Sequence, residues 1–264
     1  MSKTPNRDRA MQLVAKYRKP PQAAGTRHGN TFRLDLRGPV LFYGEKGPGI
    51  DADAVVAGLK ANQSARYVFV DIDSEGGSMI AGQQIYAALR AHPGLKITNA
   101  DRLCASSATL ILMAGDFRTC AANTQILLHA PEIPAEERKR WTAARHSQTA
   151  GILRRFSAEL VKTYAERTGL DARVFEQEIQ HEDIMGATRA RKLGLVHCLA
   201  GEERWINGVP YYFPDPRCSL KTSDVAAFSP AELQAIARKR PDLWRDSPIG
   251  YLAFAAPSSV ARRN

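Results

Sequence analysis

The sequence predicts an α/β fold built on a mostly parallel sheet. Short apolar runs alternate with longer helical patterns from Thr31 onward, and such alternation marks βαβ units. A tight Gly-rich turn at 74–77 joins an apolar run to one of those helical patterns. At 264 residues, 44% of them hydrophobic and 24% charged, the chain suits one domain with a large core, or one domain plus ordered extensions.

Residues 1–30 are basic and carry Pro20, Pro21, Gly25 and Gly29, which read as an N-terminal arm with a short helix at 9–18. The texture then changes. Strands are expected at 31–36 and 40–43, and a helix at 50–62 with Asp51 as N-cap. Residues 67–72 are strongly apolar and read as a strand, and 79–91 as a helix with one apolar face. A strand at 95–99 leads to a loop at 100–106 and a buried helix at 106–114. Short strands follow at 117–120 and 125–129. Residues 136–169 are rich in Arg, Lys, Ala and Leu and read as one long helix. Shorter helices at 171–181 and 187–193, the second closed by Gly194, precede a strand at 195–199. Beyond about 202 the chain turns polar. A hairpin around Asn207-Gly208 is expected within 205–213, and a helix at 230–240. The expected organisation is an arm at 1–30, a domain at 31–202 and a C-terminal extension at 203–264.

The formal net charge is +10. The positive residues are spread over Lys3 to Lys19, Arg138 to Arg155, and Arg238 to Arg263. No zinc-finger spacing, RNP-like aromatic motif or phosphate-binding loop accompanies them, so nucleic acid is not the expected partner. A solvated face or an acidic partner accounts for the charge more simply. Cys104, Cys120, Cys198 and Cys218 are irregularly spaced, which argues for buried thiols rather than a metal site or a disulfide framework. No cofactor is implied. The first eighteen residues lack the apolar stretch of a secretory signal, and no apolar run is long enough to span a bilayer. A cytoplasmic protein is the expectation.

Four local features bear on chemistry. Asp73-Ser74-Glu75-Gly76-Gly77 follows an apolar strand, and adjacent glycines permit a sharp turn whose N–H groups can face an oxyanion. Read alone, it is equally a plain strand-to-helix turn. Ser106 opens a helix, where it serves as an N-cap or as a nucleophile beside unpaired helix N–H groups. His129 ends an apolar strand, as a satisfied core residue or as a base; His92, nearer to Ser106 in sequence, sits at a helix end before Pro93. Glu182 and Asp183 precede a helix, as charge stabilisation or as the acid that orients a histidine.

In order and at this spacing, the set resembles the Clp-type serine peptidases of the crotonase superfamily. Asp73 to Tyr86 resembles that family's "NSPGG…G..IY" segment. Ala105-Ser106-Ser107-Ala108, followed by Met113-Ala114-Gly115, is similar to its nucleophile helix. There the catalytic serine stands nine positions before the glycine, which selects Ser106. His129-Ala130-Pro131 is similar to the His-Gln-Pro that carries the base, and Ala187 to Val196 to the "A.EA..yGLvD" ending. The wording around these motifs is most similar to the phage and prophage branch, whose members often process capsid or scaffold proteins during head maturation.

The resemblance implies a crotonase-like spiral of ββα units with the long helix protruding as a handle. It implies Ser106 as nucleophile, His129 as base, Glu182 as the acid with Asp183 in reserve, and the N–H groups of Gly77 and Ser107 as oxyanion hole. It also implies peptide or protein substrates and a homo-oligomeric ring, with any ATP-dependent unfoldase a separate partner. The chain departs from the pattern at Asp73 (Asn in the family), Glu75 (Pro), Arg102 (Gly) and Glu182 (Asp). Residues 132–137 replace a Gly-rich substrate-binding segment. A catalytically inactive ring subunit or scaffold is the alternative. An acyl-CoA enzyme of the same superfamily would need a catalytic carboxylate and no Ser/His pair, and no lysine has a better claim than His129 to serve as base.

Overall fold

The computed structural model describes residues 22–133, 138, 140–200, 204–206 and 209–211. The expected helices at 9–18 and 230–240 and the Asn207-Gly208 turn lie outside them. The chain divides into two compact units between Val196 and His197, a few residues before the boundary expected at 202.

The first unit is α/β, as predicted. Its strands are β1 (Gln22–His28), β2 (Thr31–Arg37), β3 (Tyr67–Ser74), β4 (Leu95–Ala105), β5 (Phe117–Cys120), β6 (Gln125–Leu127) and β7 (Ile184–Gly186). Its helices are α1 (Ala52–Ala61), α2 (Met79–Ala91), α3 (Ser107–Met113), α4 (Ala143–Thr168), α5 (Ala172–His181) and α6 (Ala187–Lys192). β1 to β5 lie side by side in chain order, with β2 to β5 parallel and β1 antiparallel on β2. The core is the set of fully buried aliphatic residues on β2, β3 and β4, such as Leu36, Ile72 and Leu103, covered by α1, α2 and α3. Asp51 caps α1 by accepting from the N–H groups of Asp53 and Ala54, as expected.

β4 sets the geometry of everything that follows. Its first half, Ile97 to Ala100, pairs with β5, and its last three residues pair with β6. The switch occurs where the register with β3 shifts, so that Asp73 alone faces the longer stretch between Ala100 and Cys104. Such a bulge bends the strand. β6 in turn pairs antiparallel with β7. The loop expected at 100–106 is therefore strand almost to its end.

Four further expectations are corrected. The sheet begins inside the expected arm, because Gln22–His28 pairs along the whole of β2. Residues 40–43 form no strand: Val40 makes single bridges to Ile50 and Gly77, and the chain then turns, leaving Phe42 and Tyr43 exposed. The long helix starts at Ala143 rather than at 136, because the Thr142 side chain accepts from the Arg145 N–H and caps it. The strand expected at 195–199 shrinks to Cys198–Leu199.

α4 is divided in its burial. No side chain is buried before Leu160, and Leu160, Val161 and Tyr164 then anchor it. Its C-terminus joins a junction built on two arginines. Arg118, 3% exposed, donates to the carbonyls of Gly115, Arg167, Gly194 and Leu195. Arg167 donates to those of Met113 and Gly115. Carbonyls left over where α3, α4 and α6 end are thus answered by one buried and one half-buried cation, which complement the negative ends of the helices.

The second unit contains the strand Cys198–Leu199 (β8) and an antiparallel pair, Arg204–Ile206 (β9) with Val209–Tyr211 (β10). That pair is the hairpin expected around Asn207-Gly208.

Candidate active site

Ser106 lies where β4 gives way to α3. From Leu103 to Gly115 every residue is buried except Ser106. Its backbone has φ 56° and ψ −131°, a region that non-glycine residues rarely enter and that costs about 1–3 kcal/mol. Its side chain makes no capping hydrogen bond to α3, so the N-cap role is not the one it plays. Ser107, by contrast, is buried, and among the described residues its hydroxyl has no hydrogen-bond partner. It faces Gly82, where even a methyl group would come within 2.9 Å of the Ser107 Cβ.

The Gly-rich turn is packed directly on this serine. A Cβ on Gly76 would sit 2.5 Å from the Ala105 carbonyl oxygen and 2.6 Å from the Ser106 Cβ. One on Gly77 would collide with the Val40 carbonyl. Both glycines have positive φ, at 86° and 146°, so the turn needs glycine for conformation and for space. Ser74 Oγ ties it down by donating to the Gly38 carbonyl and accepting from the Gly76 N–H. Val40 bonds the Gly76 carbonyl through its N–H and accepts from the Ser78 N–H. Neither the Gly77 N–H nor the Ser107 N–H is spent on a backbone bond among the described residues, and Gly77 is exposed.

Strand pairing sets β6 and β7 beside the end of β4. The Ser106 N–H donates to the Leu127 carbonyl at 3.0 Å, one step past the last pair of β4 and β6. His129 follows Leu128 beyond the end of β6 and is 9% exposed. Leu127 faces Ile184 on β7. The β6–β7 ladder ends at the Leu127–Ile184 pair, two residues before His129 and two residues after Glu182. Glu182 closes α5 in the left-handed region, with φ 53° and ψ 33°. Among the described residues only Ser106 and Glu182 are non-glycines with positive φ.

The other buried histidine is at the opposite end of β4. His92 Nδ1 accepts from the Gly94 N–H, so Nε2 carries the proton and donates to the Asn62 carbonyl. Burial, helped by the nearby Lys96 charge and opposed by the Asn62 bond, holds its pKa below the ordinary 6.5. Both nitrogens are committed to structure. Cys104 and Cys120 are buried in the sheet, and burial pushes the Cys104 thiol far up, leaving it neutral and inert.

Two departures from the family pattern meet in space. Arg102 donates to Asp73 Oδ2 from Nη2 at 2.7 Å and from Nε at 3.2 Å, and Leu103 N–H donates to Oδ1 at 3.3 Å. Arg37 stands 3.8 Å from the same carboxylate and pairs with Asp35 and Asp101. An acid in place of Asn, fully enclosed, needs a cation, and the arginine in place of Gly supplies it. Sequence reading shows each change but not their pairing. It also misses Thr109 on α3, which donates to the Ser106 carbonyl, and Tyr164 on α4, whose hydroxyl contacts that of Thr109. The spacing of Thr109, three residues after Ser106, is the one available signal.

Among the described residues no group of His, Cys, Asp and Glu could hold a metal ion, and no helix is long and apolar enough to cross a membrane. The profile of the family described as Clp protease matches residues 41–203. The chain is 28% identical over 152 residues to an ATP-dependent Clp protease proteolytic subunit of Pleurastrum terricola, covering 57% of this chain and 76% of that one. It is 27% identical over 171 residues to one of Nuphar advena, covering 62% and 82%. To the chloroplastic proteolytic subunit 3 of Arabidopsis thaliana it is 26% identical over 172 residues, covering 63% and 54%.

Proposed function

The chain belongs to the Clp protease family, and from that premise we propose that it is a serine endopeptidase acting through an acyl-enzyme on Ser106. One observation carries the proposal: Ser106 alone emerges from a buried run, on a strained backbone and against the Gly76-Gly77 turn. A core-filling serine would need neither the strain nor the exposure.

In this reading Ser106 Oγ attacks the scissile carbonyl carbon while His129 takes its proton. The N–H groups of Gly77 and Ser107 receive the oxygen as it becomes negative, the use to which unspent donors beside a nucleophile are best put. The C–N bond then breaks, and the proton held by His129 passes to the leaving amine. Water, deprotonated by His129, releases the acyl group and restores Ser106. Glu182 orients the imidazole and stabilises its cation. Glu182 is taken over Asp183 as the acid because extending the β6–β7 pairing two residues past Leu127 and Ile184 would set Glu182 opposite His129.

The relatives named proteolytic subunits support a peptidase that works as an oligomeric ring. The exposed first half of α4 offers a surface for such assembly. An unfoldase, where one is used, would be a separate ATP-driven chain. The motif wording noted above favours substrates among phage or prophage structural proteins.

Labelling with a fluorophosphonate, followed by mass spectrometry of the modified peptide, tests the proposal. Modification of Ser106 in the native chain and its loss in His129→Ala are expected. A folded, oligomeric protein that takes no label would overturn catalysis in favour of a scaffold.

A further inference from the structure

We infer that Thr109 and Tyr164 are positioning residues for the reaction proposed above, acting together as a two-hydroxyl relay that sets the peptide plane between Ser106 and Ser107. The inference rests on that proposed reaction.

A rarely populated backbone conformation persists only where its surroundings hold it from several sides. Ser106 is held at its amide by the Leu127 carbonyl. At its carbonyl it is held twice, by the Thr109 N–H at 3.0 Å and by Thr109 Oγ1. A threonine hydroxyl has one hydrogen to give. Since Thr109 gives it to Ser106, the 2.6 Å contact between Thr109 Oγ1 and Tyr164 Oη has the tyrosine donating. Tyr164 comes from α4, 55 residues away in sequence. It is 2% exposed, and its ring lies 5.5 Å from that of Phe175 on α5. The phenol is thereby fixed from two helices.

The consequence follows from peptide geometry. The Ser106 carbonyl and the Ser107 N–H belong to one planar trans unit and point in opposite directions. Whatever grips the oxygen aims the hydrogen. The relay therefore sets the direction of the Ser107 N–H, one of the two donors assigned to the oxyanion. It also polarises the same peptide, since a carbonyl that accepts well makes its amide a better donor. A tyrosine that merely satisfied a buried hydroxyl would have no effect on turnover beyond its effect on folding.

The test compares Thr109→Val, Thr109→Ser and Tyr164→Phe with the native full-length chain. Three quantities are read: fluorophosphonate labelling rate at Ser106, kcat and KM on a peptide substrate, and thermal midpoint. Thr109→Val is expected to lower kcat and labelling by about 10²-fold, the scale of a misplaced catalytic group, with KM within about twofold. Tyr164→Phe, which leaves the Thr109 bond intact, is expected to lose about tenfold. Thr109→Ser keeps the hydroxyl and is expected to stay within about threefold of native. The inference fails if Tyr164→Phe and Thr109→Val lower the midpoint without changing kcat or labelling, or if Thr109→Ser is as impaired as Thr109→Val. If Thr109→Val does not fold, Tyr164→Phe and Thr109→Ser decide alone. A native chain that labels at no serine overturns the proposed reaction and this inference together, which separates that outcome from the others.

Discussion

The two ends of β4 use the same kinds of residue for opposite purposes. At its amino end, His92, Lys96, Asp116 and Arg90 form a closed set. His92 bonds Asn62 and Gly94, Lys96 bonds Asp116 and the His92 carbonyl, and Arg90 reaches the other Asp116 oxygen. At its carboxyl end stand a strained serine, donors with no backbone acceptor and a second histidine. A parallel sheet concentrates its chemistry at the carboxyl ends of its strands. Here the reason is visible in one strand. Pairing with β3 and β5 satisfies the amino half, and the bulge at Asp73 turns the remainder toward β6, where the ladder runs out.

Three experiments bear on that contrast. The largest effect is expected at the carboxyl end: Glu182→Gln should lower kcat by about 10⁴-fold, the scale for an acid that orients a histidine. Asp183→Asn should change kcat less than about twofold in steady-state assays. The reverse order would show that the β6–β7 register does not continue as far as His129.

The second experiment concerns the bend itself. Arg102→Gly would leave the Asp73 carboxylate enclosed with only the more distant Arg37. It should cost about 3 kcal/mol in urea unfolding, the low end for breaking a buried pair, because Arg102 is partly exposed. Adding Asp73→Asn should recover most of that loss. Additive losses in the double variant would mean that the two residues are not energetically coupled.

The smallest effect belongs to the amino end. The folded protein holds the His92 pKa below 6.5, so in mild acid the unfolded chain takes up a proton that the folded one refuses. The neutral histidine's contribution is complete above 6.5 and is lost as pH falls through the folded value. Thermal midpoints measured across that window should decline less steeply in His92→Gln. An unchanged slope would show that His92 does not account for the decline.

Much of this fold is legible in the sequence where local signals and tertiary demands coincide. The helix over Met79–Ala91 and the strand over Tyr67–Ser74 carry apolar patterns that the core simply accepts. Boundaries are lost where pairing overrides propensity. Asn99 to Arg102 are poor strand formers, yet β4 runs through them because β3, β5 and β6 line it. The opposite occurs at Thr142, whose side chain caps the long helix and so starts it at Ala143. β1 was hidden by the glycine and prolines of its basic surroundings. Within the candidate site, Ser106, His129 and the Gly pair stand out because each sits at an element's end. Glu182 is singled out only by extending a strand register, and Tyr164 only by a contact across 55 residues. Neither relationship has a local pattern.

The divided burial of α4 has a consequence for amide exchange. Its last turns end in the Arg118 and Arg167 junction, which also holds the ends of α3 and α6. Amides there should exchange with deuterium only when the whole unit opens. Those between Ala143 and Glu159 have no buried side chains to hold them and should exchange by local fraying. One continuous helix would then report two free energies, a local one along its exposed half and the global one at its root.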